Sequence, residues 1–308
     1  MGCWSFAIST HSRTTAIDSL ADREAIEAAI ADVCATDLAG LGSPVGQTIA
    51  YALSGGGKRL RGLLVLAAYR AAGGSSDASR LAAAVEILHS YSLVHDDLPC
   101  MDDDDMRRGR LSAHRAFTVK DATAAGATMI PLAVKTAHDA ARRLRLPEHT
   151  CCTIVKVLMR AAGAGGMIGG QLLDLEAEGM ALSREELDVV HAAKTGALIT
   201  ASAIVGALAA QAEDDQIRAL DQYGTKIGLA FQIMDDVLDV TSSTAKLGKT
   251  AGRDAQLGKS TYPALLGVKS AIARAEALVE ESRAALHTGG VFSAELDGIA
   301  SFIVSRSH

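Results

Sequence analysis

Two aspartate clusters constrain this chain more than any other feature. Asp96-Asp97-Leu98-Pro99-Cys100-Met101-Asp102 and Asp235-Asp236-Val237-Leu238-Asp239 each close a long, mostly apolar, helix-like segment. Carboxylates at the end of a buried segment are costly unless something neutralises them, and a divalent cation is the natural neutraliser. On a helix, Asp235, Asp236 and Asp239 project to roughly one side. Two such acidic rims facing each other would hold hard cations, and these would hold a ligand rich in phosphate oxygens. Mg2+ suits that role, because it favours a few carboxylates plus substrate phosphates over an all-protein cage. A solvated acidic helix end is the alternative. The core-like segments leading into both clusters, Glu86–His95 and Gly228–Met234, argue against it.

The rest of the composition selects an all-α fold. The 308 residues are 49% hydrophobic but only 4% aromatic, with five prolines to interrupt helices. Alternating β-branched runs and hairpin-type Asn-Gly turns do not occur. A net charge of −6 without a basic stripe excludes nucleic acid as a partner. Five cysteines without zinc-type spacing fit a reduced, cytoplasmic protein. No charged-then-apolar leader precedes the helical region, and Phe6 spoils a myristoylation signal at Met1-Gly2. The apolar run at about 196–210 is shorter than the ~20 residues of a membrane span.

Helices are expected over about 18–38, 44–53, 60–72, 77–98, 120–145, 150–163, 183–211, 213–240, 261–287 and 291–304, punctuated by Gly73-Gly74, Pro147 and Gly289-Gly290. Residues 1–17 read as disordered, and 18–308 as a single domain.

Basic residues complement the acids. Gly55-Gly56-Gly57-Lys58-Arg59-Leu60-Arg61 places cations after a flexible glycine run, a pattern suited to an anion although its spacing is not that of a P-loop. Arg107-Arg108 follows the acidic run, either as local salt-bridge partners or as a second phosphate clamp. Lys194-Thr195-Gly196, Gln232, Lys249 and Lys259 add polar groups beside apolar helices.

Together these segments resemble the trans-isoprenyl diphosphate synthases, the farnesyl and geranylgeranyl diphosphate synthase family. The resemblance covers about 45–270 and rests on GGGKRLR (55–61), EILHSYSLVHDDLPCMDDDDMRRGR (86–110), GGQLLDLE (169–176), KTGALI (194–199), FQIMDDVLD (231–239) and LGKTAGRDAQLGKSTYPALLG (247–267). It implies a homodimeric antiparallel bundle around a deep cavity, joining an allylic diphosphate head to tail to isopentenyl diphosphate. By resemblance, Asp96, Asp102, Asp235 and Asp239 hold Mg2+, three ions per site, against the allylic diphosphate. Arg107, Lys194, Lys249 and Lys259 complete that clamp. Gly57, Lys58, Arg61, His89 and Arg108 hold isopentenyl diphosphate. Lys194 (through its carbonyl), Thr195 and Gln232 face the developing allylic cation, so that with Arg107 they form the expected catalytic set. For His89, a satisfied core histidine is the alternative.

Tyr91 and Ser92, a helical turn before Asp96, would form the floor that stops chain growth. The aromatic there and the Pro99-Cys100 insertion resemble bacterial farnesyl diphosphate synthases and imply a fifteen-carbon product, with twenty carbons as the alternative. The chain departs from the family pattern at Ala127, where an acid is usual, at Pro131 within an expected helix, and at Gly62, where a proline is usual. Rival readings are a terpene cyclase, which would lack the second aspartate motif and the basic glycine loop, and a non-catalytic partner subunit, which would lose the aspartates. A membrane prenyltransferase would need spans.

Overall fold

The computed structural model describes residues 20–41, 43–241 and 259–306. Lys249 and the expected disordered segment 1–17 lie outside them.

Fourteen helices and a two-stranded hairpin make up these residues. The helices are α1 (Leu20–Asp37), α2 (Pro44–Leu53), α3 (Leu60–Ala71), α4 (Ser79–Asp96), α5 (Ala113–Ala116), α6 (Val119–Arg143), α7 (Glu148–Ala162), α8 (Met167–Glu176), α9 (Arg184–His191), α10 (Ala197–Ala209), α11 (Asp214–Thr241), α12 (Tyr262–Leu266), α13 (Val268–Thr288) and α14 (Ala294–Ser305). The all-α expectation holds.

Local chemistry sets several boundaries. Thr118 and Ser293 accept from the backbone N–H groups of Asp121 and Leu296 at the starts of α6 and α14. Ser183 and Glu186 form a reciprocal capping box at α9. Gly267, at φ 78°, breaks the helix expected over 261–287 into α12 and α13. Three elements had no sequence expectation: the one-turn α5, α8, and an antiparallel hairpin pairing Met106 with Leu111 (β1 Met106–Arg107, β2 Arg110–Leu111).

α4 and α10 are apolar on nearly every side and run through the interior. Leu81, Val85, Ile87, Leu88, Leu198, Ala203 and Val205 are all fully buried. A helix that is hydrophobic all round needs neighbours all round. α4 packs against α1, α3 and α6, while α10 packs against α3, α7 and α11. α6 continues through Pro131, which lies with Ala127 on the exposed face. The two departures in this helix therefore sit outside the core.

The helix expected over 183–211 is not uniform. Between α9 and α10 the backbone widens into one π turn, Ala192–Gly196, which holds Lys194 and Thr195. Such turns carry one residue more than an α-helical turn and recur at functional sites. With α9 joined to it, the apolar run becomes a helical stretch, 184–209, long and apolar enough to cross a membrane by length and composition. The stretch 148–176 is another.

Candidate active site

The ends of α4 and α11, the π turn and α8 surround a cavity of about 330 Å3. Asp96, Asp102, Asp104, Asp174, Asp235 and Asp236 supply its acidic lining, and Arg61, His89, Arg107, Lys194 and Lys259 its basic lining. Both aspartate clusters thus reach one space, as their apolar lead-ins require.

Asp96 is the last residue of α4, where the helix dipole disfavours a negative charge. Burial pushes its carboxyl up to about 7, the neighbouring Asp102 adds to the rise, and Lys194 partly offsets it. Asp102 is brought back beside it by a tight turn in which its N–H donates to the Asp96 carbonyl at 2.8 Å. Its Oδ1 accepts from Gln171 at 3.4 Å.

The aspartates of α11 have separate environments. Asp235 lines the cavity and pairs with Arg306 at 2.7 Å. Asp236 is held by the protein, accepting from the Tyr262 N–H at 2.9 Å and lying 3.3 Å from His191 Nε2. Asp239 is 3% exposed, and neither of its carboxylate oxygens has a hydrogen-bond partner among the described residues. A buried carboxylate without partners is costly, so a cation fits this position. Among the described residues no three His, Cys, Asp or Glu side chains converge tightly enough to cage an ion unaided. Sparse, all-oxygen ligation of this kind suits Mg2+ completed by phosphate oxygens.

Lys194 and Lys259 both donate to Asp174 Oδ2, at 2.6 and 2.7 Å. Burial lowers the Lys194 ammonium, but Asp174, Asp102 and Asp96 outweigh it and leave the group above its ordinary value. α8 brings Asp174 this close because Gly170 packs directly on the backbone of Lys194, leaving no room for a side chain. Thr195 and Gln232 line the same cavity. Arg107 borders it as well, yet its Nε donates to Asp97 at 3.0 Å and its Nη2 also contacts Asp97 and Asp104. Arg107 thus forms the local ion pair while still bordering the cavity where a phosphate clamp would lie.

A second cavity, about 480 Å3, adjoins the first and shares Arg61, His89 and Phe231 with it. Gly57, Lys58, Glu86, Arg108 and Phe302 complete the part of its wall that matters here. Gly57 has φ 128°, and a Cβ there would lie 2.6 Å from Arg108 Nη1, so glycine is needed for the loop to lie on that guanidinium. Arg61 Nε and His89 Nδ1 are buried without partners. Burial lowers Arg61 to about 10. Burial and the charges of Arg61 and Arg108 drive His89 well below its ordinary value, so its imidazole is neutral. The result is an electropositive pocket whose buried donors lack an acceptor. His89 is not a satisfied core histidine.

Ser92 lines the first cavity. Tyr91 lies behind it, 2% exposed, donating to the Ala162 carbonyl at 3.1 Å. Leu88 and Leu198, each a helical turn from the lining residues Ser92 and Thr195, are fully buried.

Several functional contacts had no sequence expectation. Asp174 and Gln171 sit in the quoted GGQLLDLE segment, and their i, i+3 spacing was an available signal. Arg306 stacks over Phe231 at 4.0 Å and pairs with Asp235, and no local pattern marked it.

The polyprenyl synthetase family profile matches residues 43–287. The chain is 43% identical over 270 residues to an Escherichia coli farnesyl diphosphate synthase, covering 86% of this chain and 90% of that one. It is 40% identical over 265 residues to chloroplastic geranylgeranyl pyrophosphate synthase 11 of Arabidopsis thaliana, covering 84% and 74%. A Helicobacter pylori geranyltransferase structure, complexed with magnesium and isoprenyl diphosphate, superposes with TM-score 0.74 at 32% identity over 85% of this chain and 87% of that one. With two aspartate clusters lining one cavity and this breadth of similarity, the chain belongs to the polyprenyl synthetase family.

Proposed function

We propose that this short-chain trans-prenyltransferase condenses isopentenyl diphosphate with an allylic diphosphate and releases farnesyl diphosphate, geranylgeranyl diphosphate being the alternative product. The observation that carries the proposal is the pairing of two adjoining cavities, one ringed by carboxylates and lysines, the other by Lys58, Arg61 and Arg108, with the buried Arg61 Nε and His89 Nδ1 left without partners. Two anionic substrates held apart, with reactive ends converging where the cavities meet, fit that layout.

Asp96, Asp102 and Asp235 would hold Mg2+, three ions in all, with Asp239 behind Asp235. When bound, the ions spread the charge of the departing diphosphate. Lys194 and Lys259, aimed by Asp174, would donate to the same diphosphate oxygens, and Lys249 and Arg107 are assigned to that side. Lys58, Arg61, His89, Arg108 and the Gly57 backbone would receive isopentenyl diphosphate. The allylic C–O bond breaks with its electrons leaving on diphosphate. The terminal alkene carbon of isopentenyl diphosphate then bonds to the allylic carbon, and a proton from C2 passes to the departing diphosphate. Thr195, Gln232 and the Lys194 carbonyl present oxygens to the transient cation, which fixed dipoles stabilise better than mobile water. Tyr91 and Ser92 would set the floor for the growing chain.

A cytoplasmic homodimer without a membrane span belongs to the same proposal. Gln171, Lys194 and Thr195 lie on the two most apolar helical stretches and face the cavity, which uses those stretches as bundle walls. Purified protein with Mg2+, isopentenyl diphosphate and five-, ten- or fifteen-carbon allylic diphosphates tests the reaction. The expected result is a fifteen-carbon product, abolished by a chelator. Hydrocarbon released from farnesyl diphosphate alone, with no condensation, would establish the cyclase reading instead. Sedimentation of the purified enzyme tests the dimer.

A further inference from the structure

Glu86 is 1% exposed on α4, one turn before His89, and has no counterpart in the chemistry described so far. A buried carboxylate needs partners, and this one has two. Its Oε1 accepts from the N–H of Gly62 at 2.8 Å, and its Oε2 faces Arg59 Nη1 at 3.6 Å. Gly62 is the third residue of α3, where backbone N–H groups have no acceptor within their own helix. Glu86 therefore caps α3 from a neighbouring helix, and its negative charge suits the helix N-terminus.

Arg59 is the other half of the arrangement. It is 3% exposed, and its left-handed backbone, φ 50°, turns it away from its neighbours in the basic loop. Its guanidinium forks onto Glu27 of α1, Nε at 2.6 Å and Nη2 at 3.0 Å, while Nη2 also donates to the Leu53 carbonyl at the end of α2 at 2.9 Å. The central cation of the loop thus spends its fork on Glu27 and the Leu53 carbonyl although it borders the second cavity, and four helices meet on one ionic node. Lys58 and Arg61, on either side of Arg59, line the second cavity with His89.

The usual proline at position 62 would lack the N–H that Glu86 accepts. Glycine supplies the donor here. It also leaves space, since a Cβ at this position would lie 3.0 Å from Ile26 Cδ1 and 3.2 Å from Glu86 Cγ.

We propose that Glu86, acting with Arg59 and the Gly62 N–H, is a positioning residue that fixes Lys58, Arg61 and His89 as the receptor for the homoallylic diphosphate. This rests on reading the second cavity as the isopentenyl diphosphate site. The node joins α1 through α4 and the basic loop and, among the described residues, makes no hydrogen bond or ion pair with the aspartates or lysines of the first cavity. Of its dependants Lys58 lines the second cavity alone while Arg61 and His89 stand where the two meet, so its loss falls mainly on isopentenyl diphosphate.

The test compares the intact enzyme with Glu86→Ala, Glu86→Gln and Arg59→Lys. Each is measured for KM towards both substrates, for isopentenyl diphosphate binding by calorimetry without turnover, and for thermal midpoint. Glu86→Ala should raise KM for isopentenyl diphosphate about tenfold, while KM for the allylic diphosphate stays within about twofold. Glu86→Gln keeps an acceptor for the Gly62 N–H and should recover part of that loss. Arg59→Lys, which keeps the charge but not the fork, should move the same constant in the same direction. Should Glu86→Ala fail to fold, the Gln and Lys variants decide. Equal rises in both KM values, or unchanged isopentenyl diphosphate binding in folded variants, overturn the positioning role. Intact enzyme that binds no isopentenyl diphosphate overturns the functional reading beneath it.

Discussion

Replacing Asp174 by alanine removes one carboxylate and leaves two ammonium groups without their shared acceptor. Lys194 and Lys259 are mostly buried, their side chains 23% and 13% exposed, and both donate to the same Asp174 oxygen. Glu178, 3.7 Å from Lys259, is a weak substitute. Breaking a fully buried ion pair costs 3–5 kcal/mol. The cavity admits water, which places the cost at the lower end, about 3 kcal/mol. For a chain of 308 residues that is a fall in thermal midpoint of about 5 °C. The loss should shrink to about 2 °C or less when Mg2+ and inorganic diphosphate are added, because bound diphosphate oxygens replace the missing counter-charge and ligand binding stabilises the native state. Turnover should still fall, by about ten- to a hundredfold, since the lysines are no longer aimed. Differential scanning fluorimetry with and without ligand, followed by steady-state assay, measures all three quantities. A midpoint within about 1 °C of the parent without ligand, or a deficit that diphosphate leaves untouched, would show that Asp174 does not organise the lysines.

Asp235→Ala should cut turnover at least about a hundredfold with an unchanged circular dichroism spectrum, because it removes a cation ligand rather than core packing; near-normal activity would remove Asp235 from the mechanism. Tyr91→Ala should lengthen the product beyond fifteen carbons. Tyr91→Phe, which loses only the hydrogen bond to Ala162, should keep product length at a cost of about 1 kcal/mol in stability; identical products from all three enzymes would move the floor elsewhere. In chelator, Asp96 should impose a pH dependence. Its folded-state carboxyl, near 7, lies above the unfolded value, so its contribution to stability is complete below about pH 4 and is lost as pH rises through 7. Thermal midpoints of the parent and Asp96→Asn between pH 5 and 8 check this: the parent should lose more stability over that range, and parallel slopes would contradict it.

The acidic clusters were legible because a carboxylate run after an apolar helix has few inexpensive explanations. Lys194, Thr195 and Gln232 stood out only as polar groups beside apolar helices, and the family resemblance gave them their roles. Other contacts depend on which distant surfaces meet, and local pattern does not carry that. Arg306 reaches Asp235 from the far end of the chain, and Arg107 was legible as a cation but not as the partner of Asp97. α8 escaped notice because ten residues with two glycines carry a weak periodic signal. The π turn escaped because Ala, Lys, Thr and Gly suit an ordinary helix equally well; its extra residue shows only in the hydrogen-bond ladder.

That extra residue works as a phase shifter. In an uninterrupted helix the face that α9 shows to α11 would be locked to the face that α10 shows to α3, because each residue advances the helix by about 100°. Adding one residue within a single turn uncouples the two. His191 can meet Asp236 while Leu198 and Ile199 stay sealed in the interior. Deleting any one residue from Ala192–Gly196 would leave every side chain chemically intact yet rotate one half of the helix out of step. Chemistry and core would then compete for a single orientation. Length variation in relatives should therefore avoid this turn, although its residues look replaceable one by one.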